Sequence, residues 1–181
     1  MRNGRSSLVV MTIMMAVMFT VSCFGVQWLK IELGYSREYG DLLAEYGLWK
    51  ACNTSPFVNI CNNYIYSKIP GLLWGVRILS IATILSSFSA VIMAALTFYI
   101  EKIPARHICI LLITGGACGI LALAIFASKY EEIFPAAPYQ FGWSIILEGA
   151  TSVLSIVLAI FYIVCVEHRN PTSQTPLSRF V

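Results

Sequence analysis

The sequence predicts an all-α membrane protein, a bundle of four spanning helices. Three observations carry this reading. Hydrophobic residues make up 58% of the 181 positions and charged residues 12%, against about 45–50% and about 25% in ordinary soluble domains. Twelve Lys and Arg with nine Asp and Glu cannot cover the water-facing surface of a domain this small, and mean hydropathy is +0.76. Four stretches are long enough to cross a bilayer, which takes roughly 20 apolar residues per helix, and none alternates with the two-residue period of a barrel strand. A soluble globule, a disordered chain and a nucleic-acid binder do not fit. The net charge of +3 is too small and too scattered to follow a phosphate backbone.

The first span is expected over residues 8–28, within a charge-free run from Ser6 to Leu29. Arg2 and Arg5 ahead of it and Ser22-Cys23-Phe24-Gly25 near its end would also suit a cleaved secretory signal. The apolar run is longer than a signal core, which favours a retained helix. Residues 71–100 form the second span, with Arg77 embedded near its start. A short connection, 101–107, leads to the third span, 108–128. Loop 129–141 follows, then the fourth span, 142–166, interrupted by Glu148. The tail, 167–181, is rich in Pro, Thr and Ser and reads as disordered. Four spans put both termini on one side. Lys and Arg divide almost evenly between the two sides, so charge alone does not orient the chain.

The first loop, 29–70, is long for a connection and is not low-complexity. Trp28–Leu33 alternates like a half-exposed strand, Tyr46–Cys52 reads as a second, and Asn59–Ile65 as a third. Thr54-Ser55-Pro56 between the last two is a turn signal. A bridge from Cys52 to Cys61 would staple that hairpin, two free thiols being the alternative, and closing so short a loop stabilises by roughly 2–3 kcal/mol. Asn53-Thr54-Ser55 is an N-glycosylation acceptor pattern. Paired cysteines and a sequon suit an oxidising compartment. The loop is therefore expected outside, in the plasma membrane, with both termini cytoplasmic.

Trp28, Gly47-Leu48-Trp49, Cys52, Cys61 and Arg77 resemble the W–GLW–C–C–R signature of the claudin superfamily, which includes the peripheral myelin, epithelial membrane and lens fibre membrane proteins and the calcium-channel gamma subunits. The resemblance covers roughly residues 8 to 166. It implies a left-handed four-helix bundle carrying a small extracellular antiparallel β-sheet, built from the first loop and part of the second. Trp28 and Trp49 would anchor that sheet at the outer membrane face. Tyr139–Leu147 looks like the epithelial, myelin and lens proteins and the gamma subunits, and Arg77–Ser80 like the lens and epithelial branch, whereas the ending Arg179-Phe180-Val181 looks like that of claudins. Glu148 departs from all of these patterns.

Arg77 and Glu148 lie at similar depths, roughly 10 and 9 Å into their spans. A charge near the bilayer centre costs about 2.5–3.5 kcal/mol and usually faces the bundle interior with a partner. The two are expected to pair or to share a polar network, the alternative being that Arg77 reaches up to loop carbonyls and Glu148 is protonated. Gly115 and Gly119 form a GxxxG in the third span, read as packing within the bundle ahead of a dimer face. Phe134-Pro135 in the second loop resembles the aromatic–Pro pair with which claudins touch neighbouring cells. Phe180-Val181 at the end of the chain would suit a PDZ scaffold by strand addition, although Arg179 replaces the usual Ser or Thr. Cys165 is a palmitoylation candidate, and Cys23, Cys109 and Cys118 read as small apolar fillers.

His107 and His168 are the two histidines, without metal-ligand spacing. No HExxH, GxSxG, phosphate-binding or dinucleotide-binding motif is present. The expected function is non-catalytic, with no cofactor. The resemblance implies a tetraspan that organises cell contacts or junctions, a paracellular barrier or pore among them. Its partners would be the lipid bilayer and itself or related tetraspans, in cis and in trans. The alternative is an auxiliary subunit that controls gating or traffic of an ion channel or receptor.

Overall fold

Uninterrupted runs of Leu, Ile, Val, Ala and Met become helices because lipid leaves every backbone amide to find its partner within the chain. The computed structural model describes residues 2–36, 40–55, 59–63, 71–99, 105–133 and 139–169. Its helices are α1 (Arg2–Phe24), α2 (Gly71–Leu96), α3 (Ala105–Ile133) and α4 (Trp143–Arg169). Each holds a segment long and apolar enough to cross a membrane, with mean hydropathies of 2.2, 2.1, 2.6 and 2.1 in that order. The helices form a ring in which α1 and α3 each pack against both α2 and α4.

The bundle buries many of its small and polar side chains and turns many of its large apolar ones outward. On α2 the interior face carries Leu73, Val76, Arg77, Ser80, Thr83, Ser87, Ala90 and Ala94, while Ile78 and Leu85 are both 62% exposed. Such a surface suits lipid, and small residues inside let helices approach closely. Ser86 donates to the carbonyl of Leu111 at 2.7 Å and ties α2 to α3. Ser155 donates to that of Leu112 at 2.9 Å and ties α4 to α3. Such interhelical bonds are worth roughly 0.6–2 kcal/mol each. Gly115 and Gly119 both face inward but toward different neighbours. A Cβ on Gly115 would lie 3.4 Å from Ser86 of α2, and one on Gly119 would strike Ser152 of α4. Gly116, which the GxxxG pattern leaves out, is tighter still than Gly115, its Cβ position lying 2.7 Å from the Ser152 carbonyl.

One end of the bundle carries a five-stranded antiparallel sheet: β1 (Leu29–Ser36), β2 (Gly40–Tyr46), β3 (Lys50–Thr54), β4 (Asn59–Asn63) and β5 (Tyr139–Phe141), in the order β4-β3-β2-β1-β5. Residues directly opposite share a face. Leu29, Ile31, Ala44 and Tyr46 therefore line one side with Ala51, Asn53 and Ile60. That side is buried on the bundle at Leu29, Ile31 and Ala44, yet Ile60 on β4 is 56% exposed, so the sheet extends past the helices.

Three expectations need correction. The first helix ends at Phe24, not at residue 28, because Gly25 closes a turn onto Ser22 and Trp28 pairs its backbone with the sheet. The segment Tyr46–Cys52 is not one strand. It is the end of β2, a turn at Gly47–Trp49 and the start of β3. The second helix ends at Leu96, short of the expected residue 100, because Thr97, Phe98 and Tyr99 close tight turns onto Ala94, Ala95 and Leu96.

Candidate functional site

The signature residues converge where sheet meets bundle. Trp28, at the entry to β1, is fully buried. Its backbone N–H donates to the Tyr46 carbonyl at 2.9 Å, and its own carbonyl accepts from Gly142 at 3.1 Å. Its indole N–H donates to the Ser22 carbonyl at 2.9 Å, one of the last carbonyls of α1, which also accepts from the Gly25 N–H at 3.2 Å. Its ring meets Phe126 of α3 edge-on, centroids 5.3 Å apart, a favoured aromatic geometry. This one residue thus joins α1 and α3 through its side chain and β2 and the segment after β5 through its backbone.

Gly47 turns β2 into β3, its N–H donating to the Lys50 carbonyl at 2.9 Å. A Cβ there would sit 2.6 Å from the Gly25 carbonyl oxygen and 2.9 Å from Val26 Cα, so only glycine fits. Leu48 is fully buried in the apolar cluster of Trp28, Leu73, Val76, Phe126 and Ile145. Its carbonyl accepts from Nε of Arg77 at 2.8 Å. The Arg77 guanidinium carbon lies 4.9 Å from the Trp49 ring centre and 5.2 Å from that of Trp74, within cation–π range. Trp49 also stacks on Phe24 at the end of α1, centroids 6.0 Å apart.

Cys52 and Cys61 lie directly opposite on β3 and β4 and form a disulfide, S–S 1.99 Å. The bridge is on the sheet's other face, with Lys30 and Glu45. Lys30 and Glu45 approach at 4.0 Å, and Glu45 also accepts from the Gln27 amide at 2.6 Å. Asn53 is exposed on β3.

Arg77 and Glu148 are not a pair. Arg77 reaches toward the sheet, to the Leu48 carbonyl and the two indoles, whereas Glu148 is fully buried among helices and its two carboxyl oxygens accept no hydrogen bond. The physical reason is competition: the turn after β2 offers Arg77 a carbonyl and two aromatic faces at close range. Among the described residues the ion pair is Lys30–Glu45, and no cluster of three or more His, Cys, Asp or Glu could hold a metal. Phe134, Pro135, Phe180 and Val181 lie outside the described residues, as does the side chain of Cys165.

Sequence reasoning missed two parts of this joint. Gly25 admits Ser144, whose Cβ would be 3.0 Å from a Cβ at Gly25, and Gly142 admits the Gln27 carbonyl. The three glycines let the end of α1, the turn after β2 and the start of α4 meet backbone to backbone. No local pattern marks Gly25 and Gly142, because the close approach is between segments distant in sequence. The profile of the PMP-22/EMP/MP20/Claudin family matches residues 6–162. No curated protein matches the chain.

Proposed function

The chain belongs to the PMP-22/EMP/MP20/Claudin family, and on that premise we propose that it organises contacts between cells, its sheet outside and both termini in the cytoplasm. The supporting observation is the joint itself. A disulfide-stapled sheet is fastened to four membrane helices by Trp28, Gly47, Leu48 and Arg77, so its orientation relative to the membrane is set by the bundle. A rigid projection of fixed orientation suits repeated binding to neighbours. Its two edges, β4 and β5, have every described side chain exposed, and edge strands offer unpaired backbone groups to another chain. Lateral assembly of copies, and contact with copies on the facing cell, would then build a barrier or a pore between cells.

A second reading is an auxiliary subunit of an ion channel or receptor. Tyr139 and Phe141, stacked edge-on at 5.6 Å, and the half-exposed Trp143 form an aromatic surface where β5 meets α4. A membrane partner could bind there from the side. Expression in cells that lack intercellular strands separates the two. Enrichment wherever two expressing cells touch, with strands in freeze-fracture replicas, is the result expected. An even surface distribution together with co-purification of a channel overturns the contact reading and favours the second.

A further inference from the structure

Glu148 has no role in the joint, yet it is fully buried. It lies little more than one turn into α4, about 8 Å from the helix start. Ser144 and Ser152, four residues to either side, share its helix face. All three are buried. Gly119 of α3 stands against this face, a Cβ there lying 3.4 Å from Glu148 Oε1 and striking Ser152 Oγ. From α1, Ser22 packs against this stretch of α4, its hydroxyl on the Ser144 carbonyl.

The surroundings offer Glu148 lone pairs and few protons. Ser22 commits its hydroxyl proton to the Ser144 carbonyl at 2.8 Å. Ser152 commits its own to the Glu148 backbone carbonyl at 2.7 Å, and Thr151 to that of Leu147 at 2.7 Å. Both Glu148 oxygens and Ser144 Oγ are buried without a hydrogen-bond partner. A hydroxyl that has spent its proton still presents lone pairs. Arg77, the other charge inside this end of the bundle, is held at the Leu48 carbonyl and does not pair with the carboxyl. A buried carboxyl lined by acceptors has to be neutralised, by a proton or by a cation, and hard cations take oxygen ligands.

We propose that Glu148 holds a monovalent cation of the sodium class, with Ser144 Oγ and Ser22 Oγ completing an all-oxygen site between α1, α3 and α4. The ion would fasten α1 to α4 beneath the joint. The inference is independent of the contact-forming reading and could fail without it.

The test is thermal unfolding of the purified full chain in detergent at constant ionic strength, sodium chloride being exchanged for N-methylglucamine chloride. The wild type should show a saturable rise in Tm on the order of 4 °C. Glu148→Gln should fold and lose that rise, and Ser144→Ala should move the sodium midpoint up by about tenfold. Identical unfolding in the two salts overturns the proposal, since a proton alone then neutralises Glu148. An undiminished sodium response in Glu148→Gln overturns it as well. If that variant does not fold, an unchanged midpoint in Ser144→Ala overturns it.

Discussion

Arg77 Nε donates to the Leu48 carbonyl at 2.8 Å, so a charge on a membrane helix holds the turn of the sheet above it. The guanidinium is spent on shape. Hydrogen bonds to charged groups contribute about 1.5–3 kcal/mol, and a partly desolvated cation–π contact adds roughly 0.5–2 kcal/mol. Arg77→Met should therefore lower stability by about 2–4 kcal/mol and reduce delivery to the cell surface. Arg77→Lys should recover only part, because ammonium lacks the planar fork. Thermal unfolding in detergent and surface biotinylation measure both. Equal stability of Arg77→Met and wild type would show that the bond is ornamental.

The same geometry decides a charge-swap experiment. Arg77→Glu and Glu148→Arg should each impair folding, and the double swap should be no better than the worse single variant. Arginine at position 148 would be buried among helices without the Leu48 carbonyl that Arg77 uses, and glutamate at 77 would face that carbonyl's oxygen. Rescue by the double swap would mean that the two charges pair.

Glycine substitutions should divide sharply by position. Gly47→Ala forces a methyl toward the Gly25 carbonyl and Val26 Cα, and overpacking of this kind costs about 1–3 kcal/mol. Gly71 and Gly75 have nothing within 4 Å of a Cβ. Alanine there should be neutral or stabilising by up to about 1 kcal/mol, since alanine is the better helix former. Unfolding temperatures of the three variants test this, and a Gly47→Ala variant as stable as Gly75→Ala would contradict the close approach.

Trp28→Phe keeps an aromatic ring beside Phe126 but removes the N–H that caps α1 at the Ser22 carbonyl. The loss should be about 1–3 kcal/mol, from the lost bond to a carbonyl that then keeps only the Gly25 N–H and from the smaller ring. Trp28→Ala, which also opens a cavity, should cost about 3–5 kcal/mol. Chemical or thermal unfolding of the pair against wild type reads the difference.

Much of this architecture was legible before any coordinates. Four charge-poor runs marked the four spans, and alternation around Thr54-Ser55-Pro56 marked the hairpin that Cys52 and Cys61 close. The turn at Gly47 was not legible, because Tyr46–Cys52 carries alternation straight through it. Reading that segment as one strand hid β2, which ends at Tyr46. β5 has three residues, too few for any periodicity to register. The destination of Arg77 was open for a different reason. Depth along a helix places a charge but does not say which neighbour reaches it first, and the Leu48 carbonyl comes from a segment 29 positions away.

The account depends most on a bridged sheet standing outside the cell, and labelling of intact cells with a membrane-impermeant maleimide tests it. In a variant whose four other cysteines are replaced, Cys52 and Cys61 should stay unlabelled until a mild reductant is added and should then react without permeabilisation. Labelling without reductant, or only after the membrane is opened, would contradict the account.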